Sequence, residues 1–206
     1  MAARIGTDEA GKGDFFGFLT VAAVYVDDAA ESMLAAAGVK DSKLLSDAQV
    51  MALEKLVKEA CPFDVVRISP GRYNRLYAKL RNLNTLLGWA HARAIENLLQ
   101  KVNAPMVIAD QFGDKRILEE SLMQKGRRVQ LIQKTHAESD VAVAAASILA
   151  RAEFLRTLGA LSKSCGMKLP KGAAHVVEAA RKIARENGRM FLNEVAKTHF
   201  KTMKKL

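Results

Sequence analysis

A short apolar run that begins at Arg4 ends in Asp8-Glu9 and passes at once into Ala10-Gly11-Lys12-Gly13-Asp14-Phe15-Phe16-Gly17. Two carboxylates therefore stand at a strand end beside a glycine-rich loop. Neighbouring strand residues point to opposite faces, so Asp8 and Glu9 can share one site only if the chain turns at Glu9, a turn that Gly11 and Gly13 make feasible. Asp110 ends a second apolar run, Met106-Val107-Ile108-Ala109, and Glu138 stands just before a long Ala-rich segment. Paired acids next to exposed backbone amides can hold Mg²⁺ against a phosphate.

The rest of the chain supplies the frame. Residues 4 to 8 and Phe18 to Val26 read as strands joined across the glycine loop, and Phe63 to Ser69 as a third. Ser46 to Gln49 fits a capping box that opens a helix through about Ala60, and Pro70 suits the first turn of a helix carrying Tyr73 and Tyr77. Thr85 to Lys101, with Trp89 as a core residue, reads as a longer helix. Met106 to Asp110 and Arg128 to Ile132 read as strands flanking a helix from Asp114 to Gln124, a β-α-β unit. Ser139 is the expected cap of a helix from Asp140 to about Leu158, and Lys171 to Asn187 of another that stops at Gly188. The pattern predicts an α/β fold: a mixed five-stranded sheet with helices on both faces and a helical C-terminal region.

With 206 residues, half of them hydrophobic, the chain can build one sizeable core, and a single domain over 1–206 is expected. No run of 18 apolar residues and no basic-then-apolar leader occurs, which predicts a cytoplasmic protein. Cys61 and Cys165 lie far apart without a Cys/His cluster, so they are read as ordinary thiols. The net charge of +10 is unevenly placed: Arg151 to Leu206 hold 13 Lys/Arg against 4 Asp/Glu, while the first 150 residues are nearly neutral. A basic region of that kind attracts a polyanion, or else serves only as a solubilising surface.

Gly6 to Lys12 also matches GxxxxGK, the phosphate loop of nucleotide triphosphatases. Gly13 stands where that loop needs a hydroxyl, Asp8 and Glu9 would place negative charge among phosphates, and only five residues precede Gly6 for a leading strand. Two-metal phosphodiester hydrolysis suits the same residues better, because three or four acids suffice for Mg²⁺. A nucleic-acid-binding module without catalysis is a further alternative, but gathered acids repel one another and gain little unless a cation is bound.

DEAGKGDFFG, the triplet Asp41-Ser42-Lys43, ADQFGD from Ala109, HAESDVAVAAASILAR from His136, LPKGA from Leu169 and VAKTHFK from Val195 run in this order along the chain. Together they resemble the catalytic domain of bacterial ribonuclease HIII, in the type 2 ribonuclease H group. The resemblance implies an RNase H-like fold and cleavage of the RNA strand of RNA/DNA hybrids with Mg²⁺ or Mn²⁺, two ions in catalysis, leaving a 3′-hydroxyl and a 5′-phosphate. It places the catalytic, metal-binding acids on Asp8, Glu9, Asp110 and Glu138. Asp140 is the alternative fourth ligand, since it can serve as ligand or helix cap.

Gly11, Lys12 and Gly13 are read as approaching the ribose, where backbone groups can sense the 2′-hydroxyl, and Ser42, Lys43 and Ser147 as contacts to the nucleic-acid backbone, with Ser147 equally suited to an Ala-rich packing face. Asp14, Asp41 and Asp114 are read as structural or supporting acids. His136 is a candidate proton shuttle, His199 a packing residue, and Phe15 and Phe16 either stack near the nucleic acid or fold onto the sheet edge. The family usually carries an N-terminal substrate-binding domain, whereas here the acidic strand begins at the fourth residue, either because this is a naturally short form or because the rest was removed. The wording DEAGKG leans toward ribonuclease HII, which nicks at single ribonucleotides in duplex DNA with help from a C-terminal tyrosine; the tyrosines here are Tyr25, Tyr73 and Tyr77. Hybrid cleavage is therefore the leading expectation, with no membrane and no obligate protein partner.

Overall fold

The computed structural model describes residues 3–206. Five strands, β1 (Arg4–Ala10), β2 (Leu19–Val26), β3 (Phe63–Ile68), β4 (Met106–Asp110) and β5 (Gln130–Lys134), form one mixed sheet in the order β3-β2-β1-β4-β5. β4 runs parallel to both β1 and β5. The register pairs Gly6 with Ile108 and Thr7 with Ala109, so Asp8 and Asp110 follow next at adjoining ends of the two central strands.

Eight α-helices accompany the sheet among the described residues: α1 (Asp28–Ala36), α2 (Asp47–Ala60), α3 (Pro70–Leu80), α4 (Leu83–Leu99), α5 (Lys115–Ser121), α6 (Val141–Ser164), α7 (Val177–Asn187) and α8 (Leu192–Val195). Local signals start several of them. The Ser46/Gln49 capping box opens α2 as expected, Ser69 caps α3 with Pro70 in its first turn, and Gly188 at φ +86° follows the end of α7. None of the described helices is long and apolar enough to cross a membrane.

The chain divides into two compact units. One contains the described residues up to Glu9, Val21–Val66 and Asn82–Ala152; its core includes Ile5, Val107, Ala109, Leu86, Leu87, Ile95 and Leu98, all fully buried. β1 passes tightly under the start of α6, because a Cβ on Gly6 would lie 2.1 Å from the Ala142 carbonyl carbon. Only glycine fits there. The other unit joins Ala10–Thr20 and Arg67–Arg81 to Glu153–Leu206 around Phe15, Phe16, Phe154, Leu158, Val176 and Leu192. The basic C-terminal region is thus packed with the glycine loop and α3.

Several boundaries differ from the sequence reading. β5 starts two residues late, because Gly126 to Arg128 form a 3₁₀ turn whose Lys125 and Gly126 amides donate to the buried Glu96 carboxylate. α5 is shorter and is capped by Asp114. α6 is capped by Asp140 rather than Ser139, with Ala142 N donating to Asp140 Oδ1 at 2.9 Å, and it runs on to Ser164. α7 begins at Val177, six residues later than expected, and α1, capped by Asp27, is an additional helix. Phe15 and Phe16 are core residues, which places them away from any stacking role, and Trp89 is only half-buried.

Candidate active site

The strand register carries Asp8 and Asp110 to neighbouring strand ends, and the segment after β5 brings Glu138 to the same region. Asp110 Oδ1 accepts from Ala137 N at 3.3 Å, which ties the β4 end to the turn bearing Glu138. The Asp8 carboxyl is held well above the usual carboxylate range, first by burial and then by the charge of Glu9, with Asp110 adding to the effect. Lys43 senses the same group: burial opposes its charge, but Asp41, Asp8, Glu138 and Asp110 together raise its pKa. Glu9 and Asp110 thus act electrostatically on Asp8, and Asp8, Glu138 and Asp110 on Lys43.

The chain does not turn at Glu9. β1 remains extended through Ala10, so Asp8 and Glu9 leave the strand as alternating neighbours. Glu9 Oε2 instead meets His91 Nε2 at 3.1 Å, from α4. The other ring nitrogen, Nδ1, lies 2.9 Å from Thr7 Oγ1, whose hydroxyl is 2.8 Å from Ala22 O. His91 was not apparent from the sequence, where it is one polar residue on the apolar face formed by Leu87, Ala90, Ala94 and Ile95.

Asp140 has a different place. Its Oδ1 caps α6 and its Oδ2 accepts from Arg4 Nε at 2.8 Å, while Arg4 also makes a forked pair with Glu31 at 2.9 and 3.0 Å. The Asp140 and Arg4 side chains are 7 % and 2 % exposed. Both oxygens of Asp140 are therefore committed inside the fold. Asp41 and Asp114 are also caps, accepting from Lys43 N and Arg116 N, and Arg116 holds the Asp114 carboxyl down at about 2.

The triplet Asp41-Ser42-Lys43 is fastened to α6. Ser42 N donates to Ser147 Oγ at 3.1 Å, Ser147 Oγ donates to Ala144 O at 2.9 Å, and Arg151 binds both Ser42 O and Asp47. Ser147 is 2 % exposed and Ser42 6 %, so both are interior, and Ser147 occupies the packing face that was the other of its two expected places. Lys43 and Leu44 are the residues this turn displays, Leu44 being 70 % exposed. Beside it, a cleft of about 360 Å³ is lined by Lys40, Leu44, His136, Glu138 and Ser139 among others. His136 adopts a left-handed conformation with an exposed ring, its Nδ1 3.7 Å from Glu138 Oε1.

In the second unit, Gly11 has φ +85° and a Cβ there would strike Phe18 O, so this glycine is required by the fold. Lys12 is half-buried. Gly13 is exposed, with open space where a side chain would project. Asp14 Oδ1 accepts from Gly172 N at 2.6 Å. Lys197 is fully buried and donates to Asp14 O and Gly17 O at 2.9 and 2.7 Å, with its ammonium above the Tyr73 ring. It belongs to this loop's support and not to a basic surface. His199 is packed against Tyr77 at 4.3 Å between ring centroids, as a packing residue should be.

Among the described residues, no three His, Cys, Asp or Glu side chains are already gathered as a metal cage. Any cation here would take few protein oxygens and complete its shell from water or substrate, which is the habit of Mg²⁺. The fit is electrostatic: a carboxyl whose ionised form is disfavoured by burial and by neighbouring carboxylates is one that a divalent cation relieves.

A mixed sheet with acids at the ends of its central strands is the architecture of a ribonuclease H-like nuclease. The family model described as Ribonuclease HII matches residues 5–203, and the chain belongs to this family. Ribonuclease HIII of Protochlamydia amoebophila (strain UWE25) is 44 % identical over 204 residues, covering 98 % of this chain and 68 % of that protein. Ribonuclease HIII of Chlamydia abortus (strain DSM 27085 / S26/3) is 46 % identical over 97 % of this chain and 68 % of its own length. The crystal structure of Bst-RNase HIII in complex with Mn²⁺ superposes with a TM-score of 0.91 at 36 % identity, over 99 % of this chain and 68 % of that one. The resemblance drawn from the motifs holds, and the chain is an RNase H endoribonuclease acting on nucleic acid.

Proposed function

We propose that this chain hydrolyses the RNA strand of RNA/DNA hybrids at a divalent-cation site formed by Asp8, Glu9, Asp110 and Glu138, releasing a 3′-hydroxyl and a 5′-phosphate. The observation that carries this reading is the register that sets Asp8 beside Asp110, with Asp110 tied by Ala137 N to the turn bearing Glu138; burial, Glu9 and Asp110 raise the Asp8 carboxyl accordingly. Such a group is poised for a cation and costly without one. Bound Mg²⁺ or Mn²⁺, two ions in the full reaction, would supply a nucleophilic water and stabilise the departing oxygen. The Mn²⁺ complex of the related Bst-RNase HIII supports this choice of ions.

The chain's own residues divide the remaining work. Asp8, Glu9, Asp110 and Glu138 provide the oxygens. Lys43 faces Asp8, Asp110 and Glu138 and keeps positive charge beside them, where a backbone phosphate would lie. The Gly11-Lys12-Gly13 segment follows Glu9 directly and offers backbone groups to the ribose 2′-hydroxyl; the open space at Gly13 suits a close approach from outside. Exposed His136 beside Glu138 can pass a proton to the leaving oxygen.

The test is cleavage of a uniform RNA/DNA hybrid and of a DNA duplex holding one ribonucleotide, across a Mg²⁺ and Mn²⁺ titration, for the unaltered chain and for Asp110→Asn. The proposal requires metal-dependent cutting of the hybrid that Asp110→Asn reduces by more than 100-fold without loss of fold. Cutting confined to the single-ribonucleotide duplex would assign the junction-nicking specificity instead, and activity of Asp110→Asn above a tenth of normal would remove Asp110 from the site.

A further inference from the structure

We propose that His91 is a positioning residue for the nuclease reaction, which holds the Glu9 carboxylate in the orientation needed to bind a divalent cation. This inference rests on the reading of Glu9 as a cation ligand. His91 is fully buried on α4, and its ring is fixed at three points: Nε2 is 3.1 Å from Glu9 Oε2, Nδ1 is 2.9 Å from Thr7 Oγ1, and Phe112 stacks on its face at 5.0 Å and 23°. Thr7 is in turn anchored to Ala22 O on β2. A carboxylate only accepts, so Nε2 is the nitrogen that turns a hydrogen toward Glu9.

The need for such a partner follows from the strand. β1 stays extended through Ala10, so alternation sends Glu9 away from the face that Asp8 takes. A glutamate has three rotatable side-chain bonds, and nothing in the strand's pleat fixes where its carboxylate sits. The contact of His91 Nε2 with Oε2 fixes it at the end of β1. His91 contacts Glu9 and Thr7 from β1 and Phe112 two residues beyond Asp110, so one buried ring references both acid-bearing strand ends. Hydrogen-bonding partners of this kind, one step behind a metal ligand, typically change metal affinity or activity by about 10- to 100-fold when removed.

The experiment uses the full chain with His91→Leu, which fills the space without a donor, and His91→Gln, which keeps a side-chain N–H within reach of Glu9. Mn²⁺ affinity is measured without nucleic acid by the electron paramagnetic resonance of free ion, and kcat and KM are measured on an RNA/DNA hybrid. For His91→Leu the expected result is a Mn²⁺ affinity lower by about tenfold or more and a comparable fall in kcat, with KM for the hybrid unchanged. His91→Gln should restore most of both. Unchanged Mn²⁺ affinity and kcat in folded His91→Leu would overturn the proposal, as would a His91→Gln variant no better than His91→Leu.

Should His91→Leu fail to fold, His91→Gln with Thr7→Val decides: near-normal Mn²⁺ affinity in the former and a several-fold loss in the latter support the role, and any other pairing sinks it. Asp110→Asn serves as the reference. If it loses Mn²⁺ binding while folded His91→Leu keeps it, the cation site stands and only the role of His91 fails; if Asp110→Asn keeps both binding and cleavage, the site itself is misplaced.

Discussion

Arg4 Nε donates to Asp140 Oδ2 at 2.8 Å across 136 residues of sequence, and the other oxygen of Asp140 caps α6. A carboxylate so engaged has little left to offer a cation, whereas Glu138, two residues earlier, stays half-buried near Lys43. Asp140→Asn should therefore cost stability, about 2 kcal/mol, because it weakens one charged hydrogen bond to buried Arg4 while the forked pair with Glu31 remains. Glu138→Gln should leave the unfolding midpoint nearly unchanged and remove most cleavage. Chemical denaturation and turnover per folded molecule check the pair, and the reverse pattern would make Asp140 the ligand.

The anchored turn that carries Lys43 separates support from contact. Ser147→Ala removes one buried hydrogen bond to that turn and should cost about 1 kcal/mol of stability, with the salt dependence of hybrid binding unchanged. Lys43→Met should leave stability nearly intact but weaken hybrid binding and reduce the slope of log affinity against log salt by about 0.9, the value for one phosphate contact. Binding isotherms at several salt concentrations distinguish them.

Lys197 makes a pH prediction. Burial pushes its amine down from the ordinary 10.5 to about 7. Between those values the unfolded chain holds a proton that the folded chain has released, so this residue's contribution to stability rises with pH across the window and is least below pH 7. Relative to Lys197→Met, the unaltered chain should gain up to about 1.4 kcal/mol per pH unit above 7. Parallel denaturation curves for the two proteins at pH 6.5 and 9 give the answer, and a difference independent of pH would show that the amine keeps its proton.

The exposed lysines of the tail form a separate case from Lys197. Lys201, Lys204 and Lys205 are exposed. Replacing the three with Gln should weaken hybrid binding and flatten its salt slope by at most about 2.7, with kcat at saturating substrate little changed. An unaltered slope would make the tail a solubilising surface.

The acids and strands were legible because their signals are local: apolar runs ending in Asp8 and Asp110, the Ser46/Gln49 box, Pro70 after Ser69. What escaped depends on contacts between distant residues. β5 starts late because Glu96, some thirty residues earlier, binds the amides of the preceding turn. Asp140 outcompetes Ser139 as the cap because Arg4 reaches it. Ser147, readable either as a phosphate contact or as part of an Ala-rich packing face, turns inward because its hydroxyl meets Ser42. His91 could be suspected only as a polar residue on an otherwise apolar helix face, and Lys197 only as one more basic residue in a basic region. In each case burial decided the role, and burial is a property of the assembled chain.

The tight passage of Gly6 beneath Ala142 has a bearing on how the molecule forms. The acid-bearing strand comes before the other described elements in this sequence, yet the contacts that seat it, Gly6 against Ala142 and Arg4 with Asp140, wait for a helix more than 130 residues later. Loop closure over such a span is slow and must precede any reward from the contacts it enables. Asp8 on that strand and Glu138 just before that helix can therefore meet only by a contact of long sequence separation, so the site depends on the assembled unit rather than on any local segment. By the same logic, disturbing that crossing dismantles the site in one cooperative step with its compact unit, so a variant weakened at Gly6 should lose activity in proportion to the fraction unfolded and not by gradual decline.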